Sequence, residues 1–393
     1  MKKALIISFF KSNNIGDLAL SSAISNIVNS YEYQVVKYDF STIERINSPI
    51  DEIKEETLPI PVPKGISKMI KRLIIRIILL VLGKYLFGYL AIFLKRKNWK
   101  NFISDLKNSD TVVVGGGNMM MDKQTFWPAL LHYYCFLSNK YNKKVHIMFI
   151  GAEPPESLIS RHLFKNALKY VSSISVRDPV SRDICQRLTS KNVFQSIDPV
   201  FALRPQISSP SKRGKVDIAV CVLSGVCFKD DFSFSKYLDG LSRILKKVLK
   251  NQSVSSLTLF STDTADYNTV DQVHKIMNDN GFKNVHAFKP KGLHDIYSLY
   301  QNVQYLIGGR MHAMIIAQKC LLPYCGVIWQ SKVKGFALVV NNSERLFELE
   351  DFEDTDHLSS LILSDINNIN ILKVNMKLTN MRLEQQVNIN IFL

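Results

Sequence analysis

Residues 305–317, Tyr-Leu-Ile-Gly-Gly-Arg-Met-His-Ala-Met-Ile-Ile-Ala, join an apolar run to a second apolar segment through two glycines. The run at 303–307 is typical of a buried strand, and the segment after His312 is typical of a helix. The first turn of a helix has free backbone N–H groups and the positive end of the helix dipole. Arg310 and His312 add two cationic groups there, which predicts a site for a multiply charged anion. The alternative is an arginine that pairs with a carboxylate and a histidine that caps the turn.

The same alternation of strand and helix runs through most of the chain. Strands are predicted at 4–10, 33–38, 111–114, 145–150, 173–176, 193–195, 216–223, 256–260, 285–288, 303–307 and 322–328. Helices are predicted between them at 18–30, 128–139, 158–171, 179–188, 237–249, 270–280 and 293–301. Such alternation predicts parallel sheets with helices on both faces. We therefore expect an α/β protein with two doubly wound, Rossmann-like domains that face a cleft.

A stretch rich in proline and serine at 204–214 predicts the linker between the domains. The first domain is expected at 1–205 and the second at 215–345, followed by a helical tail at 346–393. Residues 355–393 of this tail are expected to pack back on the first domain. Because ligands bind beyond the carboxyl ends of the strands in such sheets, the site is expected in the cleft.

The formal net charge of the chain is +16, and a large part of it lies in one segment. Residues 64–100 contain ten lysines and arginines, no acidic residue and many aliphatic and aromatic residues. Nucleic-acid surfaces are rarely so aliphatic, so we expect this insertion to lie at an anionic membrane surface. A membrane span at 73–94 is disfavoured, since Arg76 and Lys84 would each cost about 2.5–3.5 kcal/mol. A pair of core helices with a basic rim is the remaining alternative.

The cysteines and the N-terminal sequence indicate the compartment. None of the six cysteines forms a Cys-x-x-Cys pair or clusters with histidine at zinc spacing, so we expect reduced thiols and no metal site. The apolar run near Met1 is short and is followed by polar residues, which favours a first strand over a signal peptide. The expected location is the cytoplasm, at the inner face of the cytoplasmic membrane.

Two turns in the first half of the chain are candidate binding sites. Asn14, Gly16 and Asp17 follow the first predicted strand. Asn14 and Asp17 could bind sugar hydroxyls, and Asp17 could take a proton from one; alternatively, both only cap the helix. The run Gly115–Gly117 precedes Asn118 and lets another group approach the backbone. It matches neither Gly-x-Gly-x-x-Gly nor a P-loop, so it does not indicate a nucleotide.

Three further strand-end residues carry charge. Arg177 ends a predicted strand just before the helix-start sequence Asp178-Pro179, and nothing in the local pattern requires an arginine there. Asp198 is expected to fix the turn that leads into the interdomain connection. Lys332 places another cation one strand after Arg310.

In this order, these turns resemble those of the polysaccharide pyruvyl transferase family over residues 4–340. The shared patterns are Asn-x-Gly-Asp, Gly-Gly-Gly, Val-Arg-Asp-x-x-Ser, Asp-Pro and Gly-x-Arg-x-His-Ala, followed by a lysine. The resemblance implies a two-domain fold of glycosyltransferase B type. It also implies transfer of a pyruvyl group from phosphoenolpyruvate to a sugar of a bacterial surface polysaccharide, usually as a ketal that bridges two hydroxyls.

The resemblance implies roles for individual residues, with phosphoenolpyruvate as co-substrate and neither cofactor nor metal. The residues expected to bind the donor are Arg177, Arg310, His312 and Lys332. The residues expected to take part in catalysis are His312, Arg310, Arg177, Asp17 and His132, with a histidine as general acid and Asp17 as base. The residues expected to bind the acceptor are Asn14, Gly16, Asp17, Gly115, Gly116, Gly117 and Asn118.

The chain departs from the family pattern at several points. Met311 stands where leucine is frequent, and Trp329 stands where tyrosine is common. His132 is the best match for an additional histidine of the family, although its spacing does not exclude His146. The insertion at 64–100 is not typical of the family and favours a lipid-linked acceptor.

Two other functions stay open at this point. One is a glycosyltransferase of the same fold that uses a nucleotide sugar. It would need an acidic residue for the ribose, and Glu344 and Asp351 are the candidates. The other is a catalytically inactive, membrane-bound scaffold for polysaccharide assembly.

Overall fold

The apolar runs of the sequence form two sheets in the computed structural model, which describes residues 1–47, 96–122, 127–205 and 214–386. The central strands are buried from end to end; the side chains of residues 4–7, for example, are inaccessible to solvent. Strands buried on both faces are typical of parallel sheets covered by helices on both sides. The prediction of two doubly wound domains is confirmed.

The first domain contains seven of the described strands. They are β1 (Lys3–Ser8), β2 (Gln34–Asp39), β3 (Arg45–Ile46), β4 (Thr111–Gly115), β5 (Lys144–Ile150), β6 (Ser173–Val176) and β7 (Val193–Gln195). The helices are α1 (Ile15–Ser30), α2 (Arg96–Lys107), α3 (Trp127–Lys140), α4 (Leu158–Lys169) and α5 (Pro179–Gln186). The strand order is β3-β2-β1-β4-β5-β6-β7, and all neighbours are parallel except β2 and β3.

The second domain contains six described strands, all parallel. They are β8 (Val216–Cys221), β9 (Val254–Phe260), β10 (Val285–Ala287), β11 (Tyr305–Gly308), β12 (Tyr324–Ile328) and β13 (Leu346–Glu348). The helices are α6 (Asp231–Leu249), α7 (Tyr267–Asp279), α8 (Leu293–Asn302), α9 (Met311–Lys319), α10 (Ser331–Val340), α11 (Thr355–Asn367) and α12 (Ile369–Gln386). The order β10-β9-β8-β11-β12-β13 is the strand order of the Rossmann fold.

Two predicted boundaries are wrong. The second domain does not end at 345, because β13 pairs in parallel with β12 and completes the sheet. Residues 96–100 do not belong to a membrane insertion, because they begin helix α2, whose Trp99 is buried against Phe102 and Tyr133. The rest of the predicted insertion, 64–95, lies outside the described residues. No helix in the described ranges is both long and apolar enough to cross a bilayer.

The two helices of the predicted C-terminal tail have different roles. Helix α11 packs on α6 within the second domain. Helix α12 contacts α9 and the short 3₁₀ turn Pro199–Ala202 of the first domain, and its end reaches Ser196. The predicted return to the first domain is therefore confirmed for α12 but not for α11. Residues 387–393 of the tail lie outside the described residues.

Candidate active site

Turns from both domains meet in the cleft, each at the carboxyl end of a strand. The first domain contributes the turns after β1, β4, β6 and β7, and the second contributes those after β9, β11 and β12. A parallel sheet places these turns at one edge, and two sheets that face each other bring two such edges together. The predicted cleft therefore contains most of the candidate residues.

Arg177 enters the cleft from the end of β6 and is 5% exposed. Its Nη1 lies 3.3 Å from Oδ2 of Asp198, and its Nη2 donates to Oδ1 of Asn118 at 3.1 Å. Gly151 makes room for this contact, because a Cβ there would lie 2.0 Å from the Asn118 oxygen. The next residue, Asp178, caps α5 as predicted by accepting from the backbone N–H of Ser181. Arg177 is thus held in position by two residues of its own domain.

Asp198 connects Arg177 to His312 of the other domain. Its Oδ1 accepts from the backbone N–H of Val200, which fixes the turn as the sequence predicts. Its Oδ2 faces both Nη1 of Arg177 and, at 3.6 Å, Nε2 of His312. Burial disfavours the charged form of Asp198, but His312 and Arg177 outweigh it and hold the pKa of the carboxyl below its usual value. The carboxylate therefore stays ionised between two groups from opposite domains.

His312 lies in the first turn of α9 and is almost fully buried. Its Nε2 has no hydrogen-bond partner among the described residues. The separation of 3.6 Å from Asp198 is too long for a hydrogen bond. A buried polar atom of this kind costs about 1–3 kcal/mol, and it leaves Nε2 free to hydrogen-bond a ligand.

Arg310 is already paired with a carboxylate, which was the alternative that the sequence left open. Its Nε and Nη2 each donate to Asp266 at 2.7 Å, and Nη2 lies 3.5 Å from Asp263. Asp266 also accepts from the hydroxyls of Ser224 and Ser261 at 2.6 Å. Burial disfavours both charges, but the paired hydrogen bonds hold the pKa of Arg310 above and that of Asp266 below their usual values. Arg310 therefore adds no uncompensated positive charge of its own.

Lys332 is the cation with the least compensation in the cleft. It lies in the first turn of α10, with Nζ 5.2 Å from the ring of Trp329, which Arg310 faces at 5.3 Å. It forms no hydrogen bond or ion pair within the described part of the chain. Desolvation and the nearby Arg177 and Arg310 lower the pKa of Lys332 to about 8. An anion at this point would offset the effect of Arg177 and Arg310 on the charge of Lys332.

A pocket between the domains lies directly beside these groups. Its volume is about 280 Å³, including space open to the solvent. Its charged wall consists of Arg177, Asp178, Asp198 and Lys332. The apolar wall consists of Phe201, Met311, Ile315, Phe336 and Val339. Across the described residues, no group of three His, Cys, Asp or Glu side chains is arranged to hold a metal ion.

The turn at 12–17 forms one of the contacts between the domains. Asn14 caps α1 by accepting from Gly16 N–H, and it donates to Asp263 of the second domain at 3.1 Å. Gly16 lies under the ring of His312, and a Cβ there would be 2.1 Å from Nδ1. Asp17 accepts from the Ser12 hydroxyl at 2.9 Å. The structure therefore gives Asn14 and Gly16 a role in joining the domains that the sequence did not reveal.

The glycine run after β4 is required by packing. Gly116 and Gly117 have φ angles of +81° and +71°, which favour glycine. A Cβ on Gly117 would lie 2.8 Å from the ring of Phe9, and one on Gly115 would lie 2.4 Å from the Met148 carbonyl oxygen. Asn118 then joins the site by holding Arg177 and by donating to Glu153 at 2.9 Å.

The structure does not bring either candidate for the additional histidine to the cleft. His132 lies on α3 with its ring against Phe136 and Tyr170. His146 lies near the amino end of β5, where Nδ1 contacts the Ser173 hydroxyl at 2.7 Å. The expected catalytic role of His132 therefore has no support in its position. Sequence spacing alone does not show which way a helical side chain points.

The acidic partners of the site were not predicted from the sequence. Asp198 was expected only to fix a turn, and Asp263 and Asp266 were not singled out. One signal was available, because the segment 261–266, Ser-Thr-Asp-Thr-Ala-Asp, places two carboxylates directly after a predicted strand. Of the acidic candidates for a nucleotide ribose, Glu344 is exposed and lies 3.8 Å from Arg345, and Asp351 accepts from the backbone N–H of Glu348.

Comparison with solved structures identifies the fold. Sucrose-phosphate synthase from Thermosynechococcus elongatus has a TM-score of 0.57 at 10% identity, covering 100% of this chain and 96% of that chain. HepE from Anabaena in complex with UDP-glucose has a TM-score of 0.56 at 11% identity, covering 99% and 96%. A glycosyltransferase from Rickettsia africae has a TM-score of 0.55 at 11% identity, covering 99% and 95%. The two domains thus have the glycosyltransferase B fold.

The sequence comparison is more specific than the fold. A search of curated proteins gave no match. The sequence model described as polysaccharide pyruvyl transferase matches residues 14–317, which include the cleft turns from Asn14 to His312. The chain therefore belongs to the polysaccharide pyruvyl transferase family.

Proposed function

We propose that the protein transfers a pyruvyl group from phosphoenolpyruvate to two hydroxyls of one sugar, forming a ketal. The acceptor is a bacterial surface polysaccharide or its lipid-linked precursor, at the cytoplasmic face of the membrane. The observation that carries the proposal is the cluster of Arg177, Asp198, His312 and Lys332 across the cleft. It combines a lysine that has no ion pair among the described residues with a buried imidazole whose Nε2 lacks a hydrogen-bond partner there.

Phosphoenolpyruvate carries a phosphate and a carboxylate, so its binding needs several fixed cations. Lys332 is suited to one of the two groups, because it has no carboxylate partner in the described residues and lies in the first turn of α10. Arg177 is suited to the other, since its guanidinium is held in one orientation by Asp198 and Asn118. The N-termini of α9 and α10 add free N–H groups and positive dipole ends.

The chemistry begins at the methylene carbon of the donor. A proton from His312 goes to that carbon, which becomes a methyl group and leaves a cationic centre at the adjacent carbon. One sugar hydroxyl adds there and gives up its proton, for which Asp17 is the candidate base. Phosphate then leaves with its bonding electron pair and takes the proton that Asp17 accepted. The second hydroxyl adds to the same carbon and returns a proton to His312. The products are the ketal and inorganic phosphate, so atoms and charge balance.

Asp198 supports this sequence by its position between the two domains. Its carboxylate lies 3.6 Å from Nε2 of His312, and it orients Arg177. Asp198 and His312 come from opposite domains. The pair of side chains therefore forms only when the two domains are in contact. Asp198 acts through other residues and is therefore a positioning residue.

The decisive experiment incubates the protein with phosphoenolpyruvate and a panel of lipid-linked oligosaccharides. We expect phosphate release together with a gain in acceptor mass that corresponds to one pyruvyl ketal. Turnover of a nucleotide sugar without any pyruvyl gain would instead identify a glycosyltransferase and refute the proposal.

The variant Asp198→Asn tests the cleft cluster within the same assay. It keeps the shape of the side chain but removes the charge that faces His312 and Arg177. We expect the rate of phosphate release to fall at least about a hundredfold. The exposed Asp183 of the same domain provides the matched control, Asp183→Asn, which should retain the wild-type rate. Equal rates for both variants would remove Asp198 from the site.

A further inference from the structure

Helix α12 has apolar residues on two opposite faces, and the described fold covers only one of them. Met376 and Leu383 are buried on the first face, where Asn380 exchanges hydrogen bonds with Gln318 of α9. The opposite face carries an apolar stripe at intervals of three and four residues, with exposures of 55–62%. The stripe consists of Ile371, Val374, Leu378 and Met381. This spacing places all four side chains along one line of the helix.

The charges beside the stripe are all positive. Lys377 and Arg382 flank it, and Arg382 also donates from Nη2 to the Val339 carbonyl at 2.9 Å. No acidic residue occurs between 369 and 383. The first acidic residue, Glu384, forms an ion pair with Lys319. The helix therefore presents an apolar line bordered by cations, which is the pattern of helices that lie on anionic membranes.

A second copy of the chain fits this surface poorly. The stripe has the a and d spacing of a coiled coil, which places Lys377 and Arg382 at the flanking g and e positions. In a parallel pair the two flanking positions face each other, so Lys377 of one copy would meet Arg382 of the other. In an antiparallel pair the flanking residues would be Asn370, Asn375, Lys377, Arg382 and Glu384, and Glu384 is already paired with Lys319 of the same chain. Charge complementarity therefore favours an anionic partner over a copy of the same helix.

We propose that the stripe of α12 lies on an anionic membrane surface, with Ile371, Val374, Leu378 and Met381 in the headgroup boundary. Lys377 and Arg382 contact lipid phosphates on either side of the stripe. Because α12 also contacts α9 and the first domain, this contact holds the cleft close to a lipid-linked acceptor. The proposal does not depend on the donor, so it stands or falls separately from the pyruvyl transfer.

The test measures co-sedimentation of the full-length protein with two kinds of vesicle. One contains phosphatidylcholine alone, and the other contains phosphatidylcholine with phosphatidylglycerol. The double variant Val374→Glu/Leu378→Glu places two carboxylates in the stripe. We expect at least about tenfold weaker binding to the anionic vesicles, because apolar contact is lost and repulsion is added. The matched control, Val226→Glu/Phe232→Glu, changes two exposed apolar residues elsewhere in the second domain and should bind like the wild type.

Three results would overturn the proposal. Equal binding of the stripe variant and the wild type would show that the stripe does not touch lipid. A change from dimer to monomer by light scattering, with unchanged vesicle binding, would show that a second copy covers the stripe. A lower melting temperature with unchanged vesicle binding would show that another segment of the same chain covers it.

Discussion

Two buried carboxylates determine how much positive charge the cleft presents to a ligand. Asp266 accepts hydrogen bonds from Nε and Nη2 of Arg310, so the ion pair of Asp266 and Arg310 is nearly neutral. Asp198 is shared between Arg177 and His312. Lys332 is left as the group whose charge depends most on a ligand and on pH.

The titration of Lys332 predicts a pH dependence for donor binding. Its pKa is lowered to about 8, mainly by desolvation and further by Arg177 and Arg310, while Asp17 and Glu153 oppose the shift. The ammonium form is therefore present below this pH and is lost above it. We expect the KM for phosphoenolpyruvate to rise above pH 8, by up to about tenfold per pH unit.

The variant Lys332→Arg provides the control, because an arginine stays charged throughout this range. Steady-state kinetics between pH 6.5 and 9.5 should show a flatter alkaline limb for the variant than for the wild type. Identical profiles would mean that the charge of Lys332 does not hold the donor.

At the scale of elements, the starts of α1 and α9 determine how the domains fit together. Gly16 in the first turn of α1 lies under His312 in the first turn of α9. The backbone N–H of Ile15 donates to the Thr262 carbonyl at 2.7 Å, and the Asn14 side chain reaches Asp263. The close approach of α1 and α9, which belong to different domains, therefore requires a small residue at position 16.

The variant Gly16→Ala tests this contact. The new methyl group would lie 2.1 Å from Nδ1 of His312, so the ring or the helix must move. We expect a loss of about 1–3 kcal/mol in the free energy of unfolding, measured by chemical denaturation. A matched control is Gly335→Ala in α10, where the new methyl group would meet Asp178 at an ordinary 3.5 Å. That variant should be neutral or up to about 1 kcal/mol more stable, because alanine favours helix. Similar values for both variants would contradict the close contact.

At the scale of the whole molecule, one hydrophobic core runs through both domains. Ile15 and Ala19 of α1 belong to the same buried cluster as Phe201, Ala313 and Ile316. Helix α12 adds Met376 and Leu383 to this cluster. A shared core of this kind couples the domains, whereas proteins of two domains often unfold in separate steps.

We therefore expect a single cooperative unfolding transition. Calorimetry should give one endotherm, and the variant Ile15→Ala should shift it as a whole, since a buried Ile→Ala change costs about 2–5 kcal/mol. Two separate endotherms in the wild type, or a shift of only one of them, would show that the domains unfold independently.

The sequence by itself determined the two Rossmann-like sheets, their cleft and the position of Arg177, Arg310 and His312 at strand ends. Hydrophobic periodicity, glycine turns and helix caps act over a few residues, so they can be read directly from the chain. The short strand β13 and the helix α10 were not predicted, because their patterns are brief and tertiary packing stabilises them.

Only the tertiary structure decided which of these groups meet. The pairing of Asp266 with Arg310, the position of Asp198 between Arg177 and His312, and the exclusion of His132 all depend on contacts between distant segments. The same holds for Gly16, whose size matters only because a helix of the other domain lies against it. Charge pairing and close packing depend on distance in space, which no local pattern records.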